Sequence, residues 1–115
     1  MTDADCLFCR IARGELPASV LYEDDEVLIV RDIDAKAPTH LLAIPRRHIG
    51  SVHELTDDDA PLLGRLFGGL RRAATDAALS NGYRIVTNVG PDAGQSVPHL
   101  HLHLLGGRQM AWPPG

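Results

Sequence analysis

The sequence predicts an α+β fold: one antiparallel sheet of about five strands, with one short and one long helix packed on one face of it. Three observations predict it. Short runs at 20–33, 41–45, 83–88 and 99–105 are β-branched, continuously apolar or strictly alternating. One stretch, 56–79, repeats its apolar residues at helical spacing. Connections are short, which favours antiparallel neighbours. At 115 residues the chain is one domain, 1–115, with a modest core.

Cys6 to Gly14 reads as a short helix, with Asp3 or Asp5 as N-cap and a glycine at its end. Leu7, Phe8 and Ile11 fall on one helical face. Pro17 ends this unit. Val20 to Glu23 is a strand, Asp24-Asp25 a turn, and Glu26 to Ile33 a second strand, together a hairpin. Asp32 closes that strand, where an aspartate is ordinarily a turn former or cap. Leu41 to Pro45 is a buried strand. His53 falls in a solvated connector.

Thr56 is a good N-cap, and Asp57, Asp58 and Asp59 complement the positive end of the long helix. This helix spans about 23 residues, or about 35 Å. Leu63, Leu66, Phe67, Leu70, Ala73, Ala74 and Ala77 form its apolar stripe. Gly64, Gly68 and Gly69 weaken it and suggest close approach of another element. Arg65, Arg71 and Arg72 form its solvated side. Ser80-Asn81-Gly82 terminates it. Tyr83 to Asn88 and His99 to Leu105 are the last strands, and the Trp112-Pro113-Pro114 tail is too proline-rich to continue regular structure.

The totals narrow the function. Apolar residues make up 44%, charged residues 23%, and net charge is −4. Without a large basic cluster, a nucleic-acid partner is not expected. No apolar run approaches the roughly 20 residues that span a bilayer. No signal peptide is visible and two cysteines make no secreted disulfide framework, so the expectation is cytoplasmic, without membrane partners.

The chemistry concentrates in His99-Leu100-His101-Leu102-His103-Leu104-Leu105. Alternation along a strand puts the three histidines on one face and the leucines on the other. Neutral imidazole is both a nucleophile and a metal ligand. Upstream, Asn88 to Ser96 holds two glycines and a proline, and such a loop can aim N–H groups, an amide and a hydroxyl at an anion. Loop and histidine face together read as a site for phosphate chemistry. Separately, Cys6-x-x-Cys9 has the spacing of a metal knuckle and also of a redox pair. A tetrahedral zinc would need two further ligands, for which His48 and His99 are candidates.

The run from His99 to Leu105 resembles the His-φ-His-φ-His-φ-φ pattern, φ apolar, of the histidine-triad (HIT) family. The tail Gly106-Gly107-Arg108-Gln109-Met110-Ala111-Trp112-Pro113-Pro114-Gly115 is similar to that of its nucleotide-binding, Hint-like branch. The resemblance spans Cys6 to Gly115. It implies a HIT-like fold and a homodimer with one continuous larger sheet, the tail reaching the partner subunit. It implies hydrolysis of purine nucleoside 5′-monophosphoramidates, on AMP or GMP moieties, through a nucleotidyl-histidine intermediate. A dinucleoside polyphosphate hydrolase of a sister branch and a non-catalytic nucleotide sensor are the alternatives.

Within that resemblance His101 is the nucleophile. His103 and Ser96 lie toward the leaving group or phosphate oxygens, and His40 supports the proton network. Phe8, Ile11 and Ile33 border the nucleobase, and Asp32 takes the ribose diol. Asn88, Gly94, Gln95 and Ser96 supply neutral donors to the phosphate. With that donor set no Mg²⁺ is required. Many bacterial members carry a structural zinc on two N-terminal cysteines and two histidines, which here are Cys6, Cys9, His48 and His99. Pro98 and Ala111 depart from commoner family residues and bear on fine substrate preference.

Overall fold

The computed structural model describes residues 4–115. Helix α1 (Leu7–Ala12) precedes strands β1 (Val20–Glu23), β2 (Val27–Arg31) and β3 (Thr39–Pro45). Helix α2 (Ala60–Asp76), β4 (Tyr83–Val86) and β5 (Leu102–Gly106) follow. The five strands form one sheet in the order β1-β2-β3-β5-β4, every pairing antiparallel. The expected α+β architecture is present, but the helices do not share a face: α2 covers one side of the sheet and α1 the other, because β2 and β3 are apolar on both sides.

Central strands β2 and β3 are apolar on both faces because both faces are covered. Val27, Ile29, Leu41 and Ala43 point toward α2 and join Leu66, Leu70 and Ala74 in one core cluster. Leu28, Val30, Leu42 and Ile44 point the other way, onto Cys6, Phe8 and Cys9. Leu100, Leu102 and Leu104 belong to the α2-side core. This leaves the histidines of the same run on the α1 side.

The last strand starts at Leu102, three residues later than the alternation suggests. His99 N–H instead donates to the Val97 carbonyl at 2.9 Å, and Leu100 N–H to that of Ile49 at 2.6 Å. The segment is held by loops rather than by a ladder. Beyond the last β4–β5 pair, Val86 with His103, the Thr87 hydroxyl reaches the His101 carbonyl at 2.9 Å.

The N-cap of α1 is Cys6. Asp3 lies outside the described residues, and Asp5 is displaced by Cys6, whose Sγ accepts the Cys9 N–H at 3.4 Å. The long helix is shorter than expected, at 17 residues. Asp57–Asp59 form a 3₁₀ turn before it, closed by a capping box between Thr56 and Asp59. Ala78 ends it by adopting a left-handed φ of 57°. The buried stripe is Leu62, Leu66, Gly69, Leu70, Ala73 and Ala74. Phe67 and Ala77, assigned to the stripe by spacing, are exposed instead. Of the three glycines only Gly69 meets a close neighbour: a Cβ there would lie 3.0 Å from Ile29 Cδ1.

Candidate active site and metal centre

A cleft of about 570 Å³ opens on the α1 side of the sheet. Its apolar end is formed by Leu7, Phe8 and Ile11 of α1, with Leu16, Pro17 and Ala18 from the connector that follows. Its polar end holds His40 from β3, His103 from β5, His101 just before β5, and Ser96. Asp32, Ile33 and Lys36, from the turn between β2 and β3, also line it. The sequence placed Phe8, Ile11, Asp32, Ile33, His40, Ser96, His101 and His103 at a site, and all eight line this one cleft.

Hydrogen bonds assign the ring protons. His101 Nδ1 lies 2.7 Å from the His99 carbonyl oxygen. A carbonyl only accepts, so Nδ1 carries the proton and neutral His101 keeps its lone pair on Nε2. In His40, Nδ1 accepts the Lys36 backbone N–H at 3.0 Å, so Nε2 carries the proton. That N–H donates to His103 Nδ1 at 2.9 Å, and Asp32 Oδ2 lies 3.3 Å from the same nitrogen. His103 Nδ1 is therefore an acceptor, and Nε2 of the neutral ring is a donor.

Burial, then the neighbouring His101 and His40, holds His103 below its ordinary pKa, while Asp32 pulls the other way. The ring is therefore neutral at neutral pH, as the network requires. Phe8 packs edge-on against His101, with ring centroids 4.9 Å apart, and fixes its plane.

Beside this cleft sits a second constellation. His99 is fully buried and does not line the cleft. Its Nε2 donates to the Pro45 carbonyl at 2.8 Å, which leaves the Nδ1 lone pair facing Cys6 Sγ at 3.2 Å and Cys9 Sγ at 3.5 Å. His48 Nδ1 lies 3.2 Å from Cys9 Sγ. The four ligand atoms lie within 4.8 Å of one another. Tetrahedral zinc with ordinary Zn–S and Zn–N lengths sets sulfur and nitrogen about 3.5 Å apart, so the donor set and spacing fit that ion. Asp32, His40 and His103 are comparably close. There, however, the His40 Nε2–H already donates to His103 Nδ1, so those two rings form a hydrogen-bonded pair.

The remaining sequence candidates sit elsewhere. The Asn88 amide N–H donates to the Ala93 carbonyl at 2.7 Å. Gln95 donates to the carbonyls of Gly50 and Val97 and accepts the Gly90 N–H. Gly94 supplies a left-handed turn, φ 76°. None of the three lines the cleft. Asn88 and Gln95 are engaged in these bonds and the Gly94 N–H donates to the Pro91 carbonyl at 3.0 Å, while Ser96 lies on the cleft wall. Conversely, sequence reasoning missed Leu16, Pro17, Ala18 and Val97 as wall residues, and the Lys36 backbone as the group that fixes His40. A main-chain donor carries no side-chain signature.

The fold and site define a histidine-centred cleft on an antiparallel α+β sheet, backed by a Cys₂His₂ cluster. The HIT domain family model matches residues 13–110, and the chain belongs to that family. A HIT-like protein of Synechococcus elongatus is 48% identical over 111 residues, covering 96% of this chain and 97% of that protein. The crystal structure of a HIT family hydrolase from Legionella pneumophila is 53% identical with a TM-score of 0.94, covering 96% of this chain and 100% of that one. A histidine triad nucleotide-binding protein from Candida albicans is 30% identical with a TM-score of 0.81, covering 95% and 83%.

Proposed function

We propose that the protein hydrolyses purine nucleoside 5′-monophosphoramidates through a nucleotidyl-His101 intermediate. The observation that carries this reading is the His99 carbonyl on His101 Nδ1, which leaves an Nε2 lone pair at the polar end of the cleft. Neutral imidazole so held is a ready nucleophile. The relatives support the reading: one is described as a hydrolase, another as nucleotide-binding.

In the first half, the Nε2 lone pair forms a bond to the α-phosphorus. The P–N bond breaks, and its electron pair leaves with the amine, which takes a proton from solvent. Ser96 and His103 Nε2–H donate toward the phosphate oxygens or the leaving group; one preorganised donor of this kind is worth about 3 kcal/mol. In the second half, water attacks phosphorus, the P–Nε2 bond breaks, and the water's proton is released. The balance is phosphoramidate plus water giving nucleoside monophosphate plus amine. The base lies against Phe8, Ile11 and Ile33, and the ribose diol donates to Asp32. The neutral donor set needs no Mg²⁺.

Cys6, Cys9, His48 and His99 would hold a zinc ion. It supplies a cross-link between α1 and the strand-entry segment, not a step of the reaction. A homodimer is part of the same proposal: β4 is a sheet edge, and Phe67, Tyr83 and Trp112 are exposed. Sedimentation of the purified protein tests it, with a monomer at working concentration as the contrary result.

The deciding test compares kcat/KM on adenosine 5′-phosphoramidate and a diadenosine polyphosphate, followed by rapid quench with ³²P-labelled phosphoramidate. Preference for the phosphoramidate with label on His101 is expected. Preference for the polyphosphate makes this a sister-branch activity, and nucleotide binding without turnover makes it a sensor.

A further inference from the structure

A second cavity, of about 410 Å³, lies on the other face of the sheet, between the C-terminal half of α2 and strands β1, β2 and β3. Small-molecule sites occupy about 300–1,000 Å³. Its floor is open because α2 presents small residues there, Gly69, Ala73 and Ala77, with Leu41 opposite. Two arginines stand on its wall. Arg31 pairs with Leu41, which faces α2, and Arg31 Nη1 donates to the Ser19 hydroxyl at 2.9 Å. The Arg72 guanidinium lies over the Tyr22 ring, 5.6 Å from its centroid, and the Tyr22 hydroxyl donates to Asp24 Oδ2 at 2.9 Å. Both cations are thus held by neutral groups. Two turns earlier on α2, Arg65 is instead flanked by the carboxylates of Asp24, Asp25 and Glu26. Among the described residues neither Arg31 nor Arg72 has an ion-pair partner of that kind.

We propose that this cavity is a second ligand site, for a small organic anion with an apolar body, and that its occupancy is felt in the cleft. Guanidinium groups without carboxylate partners suit a carboxylate or phosphate head. Asp76 and the last carbonyls of α2 repel an anion at the helix end. The head therefore belongs on the β1 side, with the body along Ala73 and Ala77. Arg31, Asp32 and His40 line both cavities, so an anion that draws on Arg31 acts on a wall the cleft shares. Coupling of this kind is reciprocal: each ligand changes the affinity of the other by one factor. The coupling rests on the cleft holding a nucleotide; the second site does not.

The probe is 1-naphthoate, with neutral 1-naphthamide for comparison, titrated into isotope-labelled protein and followed by NMR. Naphthoate should shift Arg72 Nε and the Ala73 and Ala77 methyls, and naphthamide should bind about 10-fold more weakly. Arg72→Gln should weaken naphthoate by a similar factor, while Arg71→Gln, the same charge change outside the cavity, should not. No shifts at millimolar probe, shifts confined to Phe8 and His101, equal affinity for naphthamide, or equal effects of the two variants overturn the site. For the coupling, naphthoate alone should shift the His40 ring nitrogens. Saturating naphthoate should also change the Kd for AMP by about 5-fold, with the same factor when AMP is added first. An unmoved His40 with unchanged AMP affinity overturns the coupling. Outright competition between AMP and naphthoate places both in one cavity and overturns the second site. Naphthoate shifts in a protein that hydrolyses no phosphoramidate would sustain the site and remove only the proposed reaction.

Discussion

His99 and His101 are joined by a 2.7 Å contact, from the carbonyl of one to the ring Nδ1 of the other. One residue thus belongs to both constellations. The His99 ring turns toward Cys6 and Cys9, while its backbone sets the tautomer of His101. The Cys6, Cys9, His48 and His99 cluster is not in the cleft, yet it holds the residue whose carbonyl sets the tautomer of His101.

Replacing His101 should be the most damaging change to turnover. His101→Ala removes the attacking nitrogen and leaves Ser96, His103 and the apolar wall intact. A loss of about 10³-fold or more in kcat is expected, the scale seen when a nucleophile is deleted from a working site. Nucleotide binding should survive, as read by calorimetry with AMP. Normal turnover by the variant would remove His101 from its role.

Cys6→Ser tests the metal centre with a built-in control. Serine is itself a good N-cap, so the bond now made by Cys6 Sγ to the Cys9 N–H can be kept. Any loss of stability then reports the ligand set rather than the helix cap. Zinc content should drop from near one per chain to near zero, and Tm by about 10 °C if a modest 2 kcal/mol is lost. The folded variant should keep measurable turnover. Unchanged metal content would show that the ligands are other residues.

The scaffold was legible in the sequence where one period dominated. Alternation of Leu100, Leu102 and Leu104 against the histidines identified both faces correctly, because burial enforces a period of two even where no ladder forms. The α2 stripe was read only in part. Spacing alone admits Phe67, but the sheet reaches α2 from one side and leaves that ring 47% exposed. The site's side chains were mostly legible through the family pattern. What escaped was main-chain chemistry: the Lys36 N–H on His40 and the His99 carbonyl on His101. Any residue type can supply those groups, so no letter of the sequence marks them.

The acid limb of activity should follow His103. Its folded pKa is below the ordinary 6.5, chiefly through burial. Above that range the ring is neutral in both folded and unfolded chains, and pH is without effect through this group. As pH falls below about 6.5 the unfolded chain binds the proton first, so stability declines. On reaching the lowered pKa the folded ring also charges, Nδ1 can no longer accept from His40, and kcat falls. Measuring kcat and Tm from pH 8 to pH 5 should show the Tm decline beginning before the kcat decline. His103→Gln should lose this part of both profiles; an unchanged acid limb in kcat would assign it to another group.

Gly64 and Gly69 make a matched pair on α2. Alanine is favoured over glycine in a helix by about 1 kcal/mol. At Gly64 an added Cβ meets nothing within 4 Å, so Gly64→Ala should stabilise by about 0.5–1 kcal/mol. At Gly69 the same methyl would sit 3.0 Å from Ile29 Cδ1 and 3.2 Å from Cγ1. Ile29 is fully buried in β2 and has little room to retreat. Overpacking costs about 1–3 kcal/mol and should outweigh the helical gain, making Gly69→Ala destabilising. Ile29→Val removes Cδ1, the nearer atom, and should restore part of the loss in the double variant. Urea denaturation of the four proteins gives the sign of each step. Equal stabilisation at both glycines would mean that α2 is free to move off the sheet, contrary to the packing described.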